Sequence, residues 1–159
     1  MTAPGGKLVR VRLPVVTPRL ALCLAELSGL PFFLRSTNDP SVLRNYISRR
    51  APLKRSEEVA YVTSSRRATA KGEKLNLSIT FRETGELVGG IRLEVRDWTH
   101  RHGRTGYSLT APYWHRGYGS EAASAVLRVA FQTLKLHRVD ARVFSFNPRS
   151  ARSTFGFPE

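Results

Sequence analysis

The stretch Ala111-Pro-Tyr-Trp-His-Arg-Gly-Tyr-Gly-Ser-Glu-Ala-Ala123 carries the reading of this chain. It sets two glycines, Gly117 and Gly119, one residue apart at the mouth of an evident helix. A strand-like run, Thr105 to Thr110, comes directly before it. Strand, Gly-x-Gly turn and helix together make a place to hold phosphate. The first N–H groups of a helix have no partner inside it, and the helix dipole puts partial positive charge there. Glycine allows close backbone approach and positive φ without Cβ strain.

Working outward, Glu121 to Leu134 carries apolar residues at 123, 126, 127, 130, 131 and 134, the one-face spacing of a helix. Phe131 and Leu134 are read as core. On the other side, Arg104 to Thr110 closes a run of three strands. Leu75, Leu77, Ile79 and Phe81 alternate with polar residues, a half-buried strand. Glu83-Thr84-Gly85-Glu86 is a hairpin loop, and Leu87 to Val95 is the next strand, with Gly89-Gly90 permitting a bulge or close approach. Arg96 to Gly103 reads as a polar loop.

Further out, Val11 to Val16 and Arg19 to Leu24 are extended, and Thr17 precedes Pro18, which disfavours helix. Leu27 to Arg35 and Ser41 to Ser48 are short helical segments. Glu57 to about Ala70 is a longer helix, acidic at its start and basic at its end, as the dipole favours. Arg138 to Phe146 is a last strand, followed by a turn over Asn147-Pro148-Arg149-Ser150. Residues 1–9 read as loose. The order β–α–α–β–β–β–α–β implies one α+β domain over residues 1–159, with a mixed, largely antiparallel sheet flanked by helices.

A hydrophobic fraction of 41% over 159 residues suits a folded domain rather than a disordered chain. There is no apolar run of membrane-spanning length and no clean signal peptide. Cys23 is the single cysteine, so no disulfide framework is expected, and a reducing cytoplasm is the simplest compartment. It reads as a small buried hydrophobe. The four histidines lack ligand-like spacing with acids or Cys, so no metal is expected. A net charge of +14 fits an anionic partner such as nucleic acid or ribosome, or simply a solvated surface; charge alone does not choose.

Together these residues resemble RimJ/RimL-type N-acetyltransferases of the GNAT superfamily. The likeness runs through Thr17-Pro18-Arg19-Leu20, Gly106-Tyr107-Ser108-Leu109, Tyr113-Trp114-His115-Arg116-Gly117-Tyr118-Gly119-Ser120-Glu121-Ala122, Asn147-x-x-Ser150 and Gly156-Phe157. It implies acetyl-CoA as co-substrate and a primary amine as acceptor. By the resemblance, the turn His115-Arg116-Gly117-Tyr118-Gly119-Ser120 wraps the CoA pyrophosphate. The pantetheine arm pairs with Leu109 and Thr110 backbone groups like an added strand, where strand 106–110 splays from 142–146. Asn147 holds that arm or a structural water, and Ser150 sits near the sulfur as proton donor. Glu94 is the candidate base, with a solvent-facing strand carboxylate the plainer reading; Asp97 and His100 are weaker candidates. Trp114 is weighed as a packing residue.

The resemblance also exposes a difference. Five residues separate Ser150 from Gly156, and the family's terminal hairpin does not follow. The strand 138–146 is then expected as an exposed edge. A second copy in a homodimer would cover it; otherwise the chain is a shortened, degenerate relative, or the sequence is truncated.

Overall fold

Among the described residues, six strands form one sheet in the order in which they occur in the chain. The computed structural model describes residue 8, residues 10–45, 52–143, 145 and 147. The strands are β1 (Val15–Val16), β2 (Leu20–Leu24), β3 (Lys74–Phe81), β4 (Leu87–Asp97), β5 (His102–Leu109) and β6 (Arg138–Ala141). Neighbours pair antiparallel except β5 and β6, which run parallel.

The alternation in β3 and β4 sets the two faces. One face carries Leu20, Leu22, Leu75, Leu77, Ile79, Ile91, Leu93 and Leu109, all buried against Ala122, Ala123, Val126 and Ala130. These last belong to α4 (Tyr118–Arg128) and the wide helical turn that continues it, Val129–Thr133. The other face is smaller and more polar, with Asn76, Ser78 and Gly90. It is covered by α1 (Leu30–Asn38) and α3 (Arg55–Ala70): Phe33 lies 3.5 Å from where a Gly90 Cβ would sit, and Tyr61 Oη lies 3.4 Å from Asn76 Oδ1.

Local chemistry starts and stops these helices. A short 3-10 turn, Leu27–Gly29, leads into α1, and Pro31 falls in its first turn, where a missing N–H costs little. Asp39 accepts the Ser41 N–H at 2.8 Å and caps α2 (Pro40–Leu43). The Glu57 carboxylate takes the Lys54 N–H at 2.7 Å, half of a capping box that opens α3. The expected helix Ser41 to Ser48 ends at Leu43: Arg44 and Asn45 form a turn, and 46–48 lie outside the described residues.

Four expectations change. The polar segment Arg96 to Gly103 is loop only at 98–101: β4 runs to Asp97 and β5 begins at His102, which pairs with Asp97. On the strands flanking it, Glu94 stands opposite Lys74 and Arg104, and Arg104 is clasped by Asp140 at 2.9 Å. Cross-strand pairs of opposite charge support strand as well as alternation does. Phe131 is 43% exposed, not core, although Leu134 is buried. The turn from Val129 closes with Leu134 N–H on Val129 O, five residues back, which rotates Phe131 off the buried face. Leu8, inside the stretch read as loose, is buried against the core. Finally β6 stops at Ala141, and Arg142 and Val143 carry no strand pairing.

Candidate active site

β5 and β6 part company in mid-strand. Their parallel pairing runs from His102↔Arg138 to Thr105↔Ala141 and goes no further among the described residues. The rest of β5, Gly106 to Leu109, still pairs with β4 on one side and, among the described residues, has no strand partner on the other.

The ladder fixes which backbone groups face that opening. Gly89 stands opposite Leu109, and Thr110 N–H donates to Val88 O at 3.1 Å. That bond flanks Gly89–Leu109 as a non-hydrogen-bonded pair, so the N–H and C=O of Leu109 point away from β4. By the same alternation Tyr107 presents its backbone groups there too. Close approach of β4 makes this possible, since a Cβ on Gly89 would lie 2.2 Å from Ser108 O.

Thr110 does not share the opening, which corrects its expected role as a pantetheine partner. Its N–H goes to Val88, and its C=O accepts Tyr113 N–H at 3.0 Å. Its N–H is used within the fold, so the N–H groups that face the opening are those of Tyr107 and Leu109.

Beyond β5 comes a 3-10 turn, Ala111–Tyr113, then Trp114, His115 and Arg116. The indole Nε1–H of Trp114 donates to Leu109 O at 2.8 Å. Packing is therefore only part of what Trp114 does: it ties the turn to the end of β5 and takes one lone pair of the carbonyl facing the opening. Trp114→Phe keeps the ring and deletes this donor. We expect it to cost about 1 kcal/mol, a midpoint lowered by roughly 2–4 °C in thermal melts. A melt identical to wild type would show that the bond contributes nothing.

The two glycines have different jobs. Gly117 is the N-cap of α4 and has φ +80°, in the left-handed region; His115, two residues earlier, is also left-handed, at +64°. A non-glycine residue held there is the kind of strain that collects at ligand-binding turns. Gly119 is needed for space: a Cβ there would lie 2.6 Å from Tyr107 Cε2. The Tyr107 ring thus seats the helix start directly on β5.

The first helical bond of α4 is Glu121 N–H to Gly117 O, 3.0 Å, and no side chain caps the helix. The N–H groups of Tyr118, Gly119 and Ser120 are therefore left without helical partners, and His115 and Arg116 stand beside them. This is an anion-binding mouth, and it joins the open end of β5 through one short turn.

Around the mouth lies a set of contacts that sequence reasoning missed. Glu121 accepts from the Thr17 hydroxyl at 2.6 Å, from Arg19 N–H at 2.9 Å and from Arg19 Nε at 2.6 Å. Phe81 meets Tyr113 and Tyr118 edge-on, with centroids 5.3 and 5.1 Å away, and the Tyr113 hydroxyl bonds Glu86. That bond pushes the Tyr113 hydroxyl above the ordinary tyrosine range, so it stays protonated. The motif Thr17-Pro18-Arg19-Leu20 was visible in the sequence, but nothing local links it to a residue about a hundred positions on.

Burial pushes the Glu121 carboxyl up, yet the Thr17 and Arg19 hydrogen bonds and the Arg19 charge outweigh it and hold it below the usual range. Asp140 is also held low, first by its hydrogen bond from Arg104. A lowered carboxylate stabilises the fold fully above its unfolded pKa, ~4.3 for Glu and ~3.9 for Asp, and loses that stabilisation as pH falls through the folded value. The thermal midpoint should therefore fall as pH drops below about 4. Glu121→Gln, which cannot titrate, should show a lower midpoint at neutral pH and a shallower acid fall. An acid limb of unchanged slope would remove Glu121 from this role.

The remaining candidates are not all brought together. Glu94 pairs with Arg96 at 2.9 Å and stands opposite Arg104, five strand positions from Leu109. At ~3.4 Å per residue that is roughly 17 Å along β5, beyond direct reach of a group bound at Leu109. Asp97 and His100 pair with each other at 2.7 Å in the loop at the far end of the sheet. Asn147 donates from Nδ2 to Asn45 Oδ1 at 3.1 Å, which links the segment after β6 to the end of α2. Ser150 and Gly156 lie outside the described residues.

Comparison with known proteins agrees with this geometry. Residues 19–154 match the family model described as an acetyltransferase (GNAT) domain. The chain is 26% identical over 136 residues to the uncharacterized N-acetyltransferase p20 of Bacillus licheniformis, covering 86% of this chain and 76% of that one. It is 37% identical over 71 residues to the uncharacterized N-acetyltransferase YoaA of Bacillus subtilis (strain 168); that stretch is 45% of this chain and only 40% of YoaA. The fold is similar to that of Mycobacterium smegmatis RimJ in complex with CoA-disulfide, with a TM-score of 0.72 at 20% identity over 89% of this chain and 69% of that one.

Proposed function

We propose that this chain, which belongs to the GNAT acetyltransferases, transfers an acetyl group from acetyl-CoA directly to a primary amine in the manner of RimJ/RimL-type enzymes. One observation carries the reading. The open backbone of β5 at Leu109 and the uncapped mouth of α4 at Gly117 are joined by a single short turn. An extended arm that ends in a pyrophosphate fits that pair of features, with the arm as an added strand and the phosphates on the helix N–H groups.

In this reading the pyrophosphate lies on the N–H groups of Gly117 to Ser120, with Arg116 adding charge. The arm pairs with Tyr107 and Leu109. The amine lone pair attacks the thioester carbonyl carbon, and the C–N bond forms as negative charge builds on the oxygen. The Leu109 N–H, facing the opening, is the natural donor to that oxyanion. The C–S bond then breaks and the amine nitrogen loses its proton. Ser150 is the proposed proton donor to the departing thiolate, and Asn147 steadies the arm or a water beside it. Glu94 can take the amine proton only through a chain of waters, given its distance from Leu109.

The acceptor class is a protein N-terminal amine or a small-molecule amine. Thiol release from acetyl-CoA, followed with a chromogenic disulfide across a panel of N-terminal peptides and small amines, tests the reading. Release that requires both acetyl-CoA and an amine is expected. Saturable acetyl-CoA binding with no amine-dependent release would point instead to a GNAT-fold binding protein without turnover.

A further inference from the structure

Arg19 touches three consecutive residues of the turn at the mouth of α4. Its Nη1 donates to Arg116 O at 3.0 Å. Its Nη2 lies 3.3 Å from where a Gly117 Cβ would sit, and its guanidinium carbon lies 4.4 Å from the centre of the Tyr118 ring. Its Nε is held by Glu121 at 2.6 Å, and Glu121 is fixed in turn by the Thr17 hydroxyl. Thr17 is buried at the head of β2, where its hydroxyl also accepts the Leu20 N–H at 2.9 Å. A rigid strand, a buried hydroxyl, a carboxylate and a guanidinium thus form one chain that ends on the Arg116 carbonyl.

The consequence follows from peptide geometry. In a planar trans peptide the C=O of residue 116 and the N–H of residue 117 point in opposite directions. By holding the Arg116 carbonyl on its own side, Arg19 turns the Gly117 N–H toward the other. Gly117 sits at positive φ, where its backbone has more freedom than that of any other residue type, so the peptide needs an external hold to keep one orientation.

We propose that Arg19 is a positioning residue for the phosphate-binding turn, acting through the Arg116 carbonyl and fixed in place by Glu121 and Thr17. The proposal rests on the reading of this mouth as the CoA pyrophosphate site. The guanidinium does this because of its fork geometry: it reaches the carboxylate, the carbonyl and the ring at once. Lysine carries the same charge but lacks the fork.

The test is calorimetric titration of full-length wild type, Arg19→Ala and Arg19→Lys with CoA, well below each melting temperature. A residue that merely stabilised the fold would leave the affinity of the folded protein unchanged at that temperature. A positioning residue should weaken it by about tenfold in both variants. Glu121→Gln should weaken it as well, and the double variant should be no weaker than Arg19→Ala alone, because the two act along one chain. Wild-type affinity in Arg19→Ala would overturn the proposal, and full affinity in Arg19→Lys would overturn it in favour of plain charge. Absence of binding by the wild type would instead bring down the reading of the site, and this proposal with it.

Discussion

Gly119→Ala should lower CoA affinity by at least about tenfold and the melting midpoint by roughly 3–10 °C. The added Cβ would lie 2.6 Å from Tyr107 Cε2 and 2.8 Å from Cζ, closer than carbon atoms can approach. Something must move, and the choices are few. Tyr107 stands on β5 with Ile91 opposite it on β4, and its ring packs against the core. The start of α4 is held by Glu121 through Thr17 and Arg19. Displacing either one separates the helix mouth from the open edge of β5, and overpacking of this sort costs about 1–3 kcal/mol. Tyr107→Ala in the same chain should recover part of the affinity by removing the ring. Calorimetry with CoA and thermal melts on the wild type and the two variants decide the matter. Wild-type behaviour of Gly119→Ala would mean that the contact has slack.

Leu93→Ala should be the larger loss of stability, about 2–5 kcal/mol, or roughly 5–20 °C in the midpoint. Leu93 has no exposed surface and lies between Leu75 on β3 and Thr105 on β5. It belongs to the cluster that α4 seals with Ala122, Ala123 and Val126. Alanines on the helix let it lie close to the sheet, so little is free to collapse into the cavity left behind. Thr105 is also the last β5 residue paired with β6, through Ala141. The cavity would therefore open beneath the point where the two strands part. Chemical denaturation with a lowered midpoint and unchanged slope is the expected record. A loss below 1 kcal/mol would mean that the core repacks around this position.

Alternation and helix periodicity made much of this legible from sequence. Leu75, Leu77 and Ile79 against Asn76 and Ser78 gave β3 and its buried face, and the spacing from Ala123 to Ala130 gave the buried stripe of α4. The pairing of β5 with β6 ends at Thr105 and Ala141, short of the expected strand 142–146. The failures have identifiable physics. The segment from Arg96 to Gly103 looked like loop throughout because its polar residues hid the strand ends on either side of the turn at 98–101. Phe131 looked buried because a regular helix would bury it, and a single five-residue turn does not.

The site was half legible. Gly117 and Gly119 stood out, but the sequence could not tell that one serves backbone conformation and the other a tyrosine ring. Nor could it tell that Thr110 spends its backbone on Val88 and Tyr113, or that Arg19 reaches the turn from across the fold. Those facts depend on which strand lies beside which, and no local spacing encodes that.

The most direct test of the site is titration of the protein with acetyl-CoA by calorimetry, alongside Gly117→Glu. Glutamate there would set a Cβ at φ +80° beside the Arg19 guanidinium and a negative charge at the mouth of α4. One-site saturable binding by the wild type, weakened at least about tenfold in Gly117→Glu, is the expected result. No saturable binding by the wild type, or equal affinity in the two proteins, would contradict it.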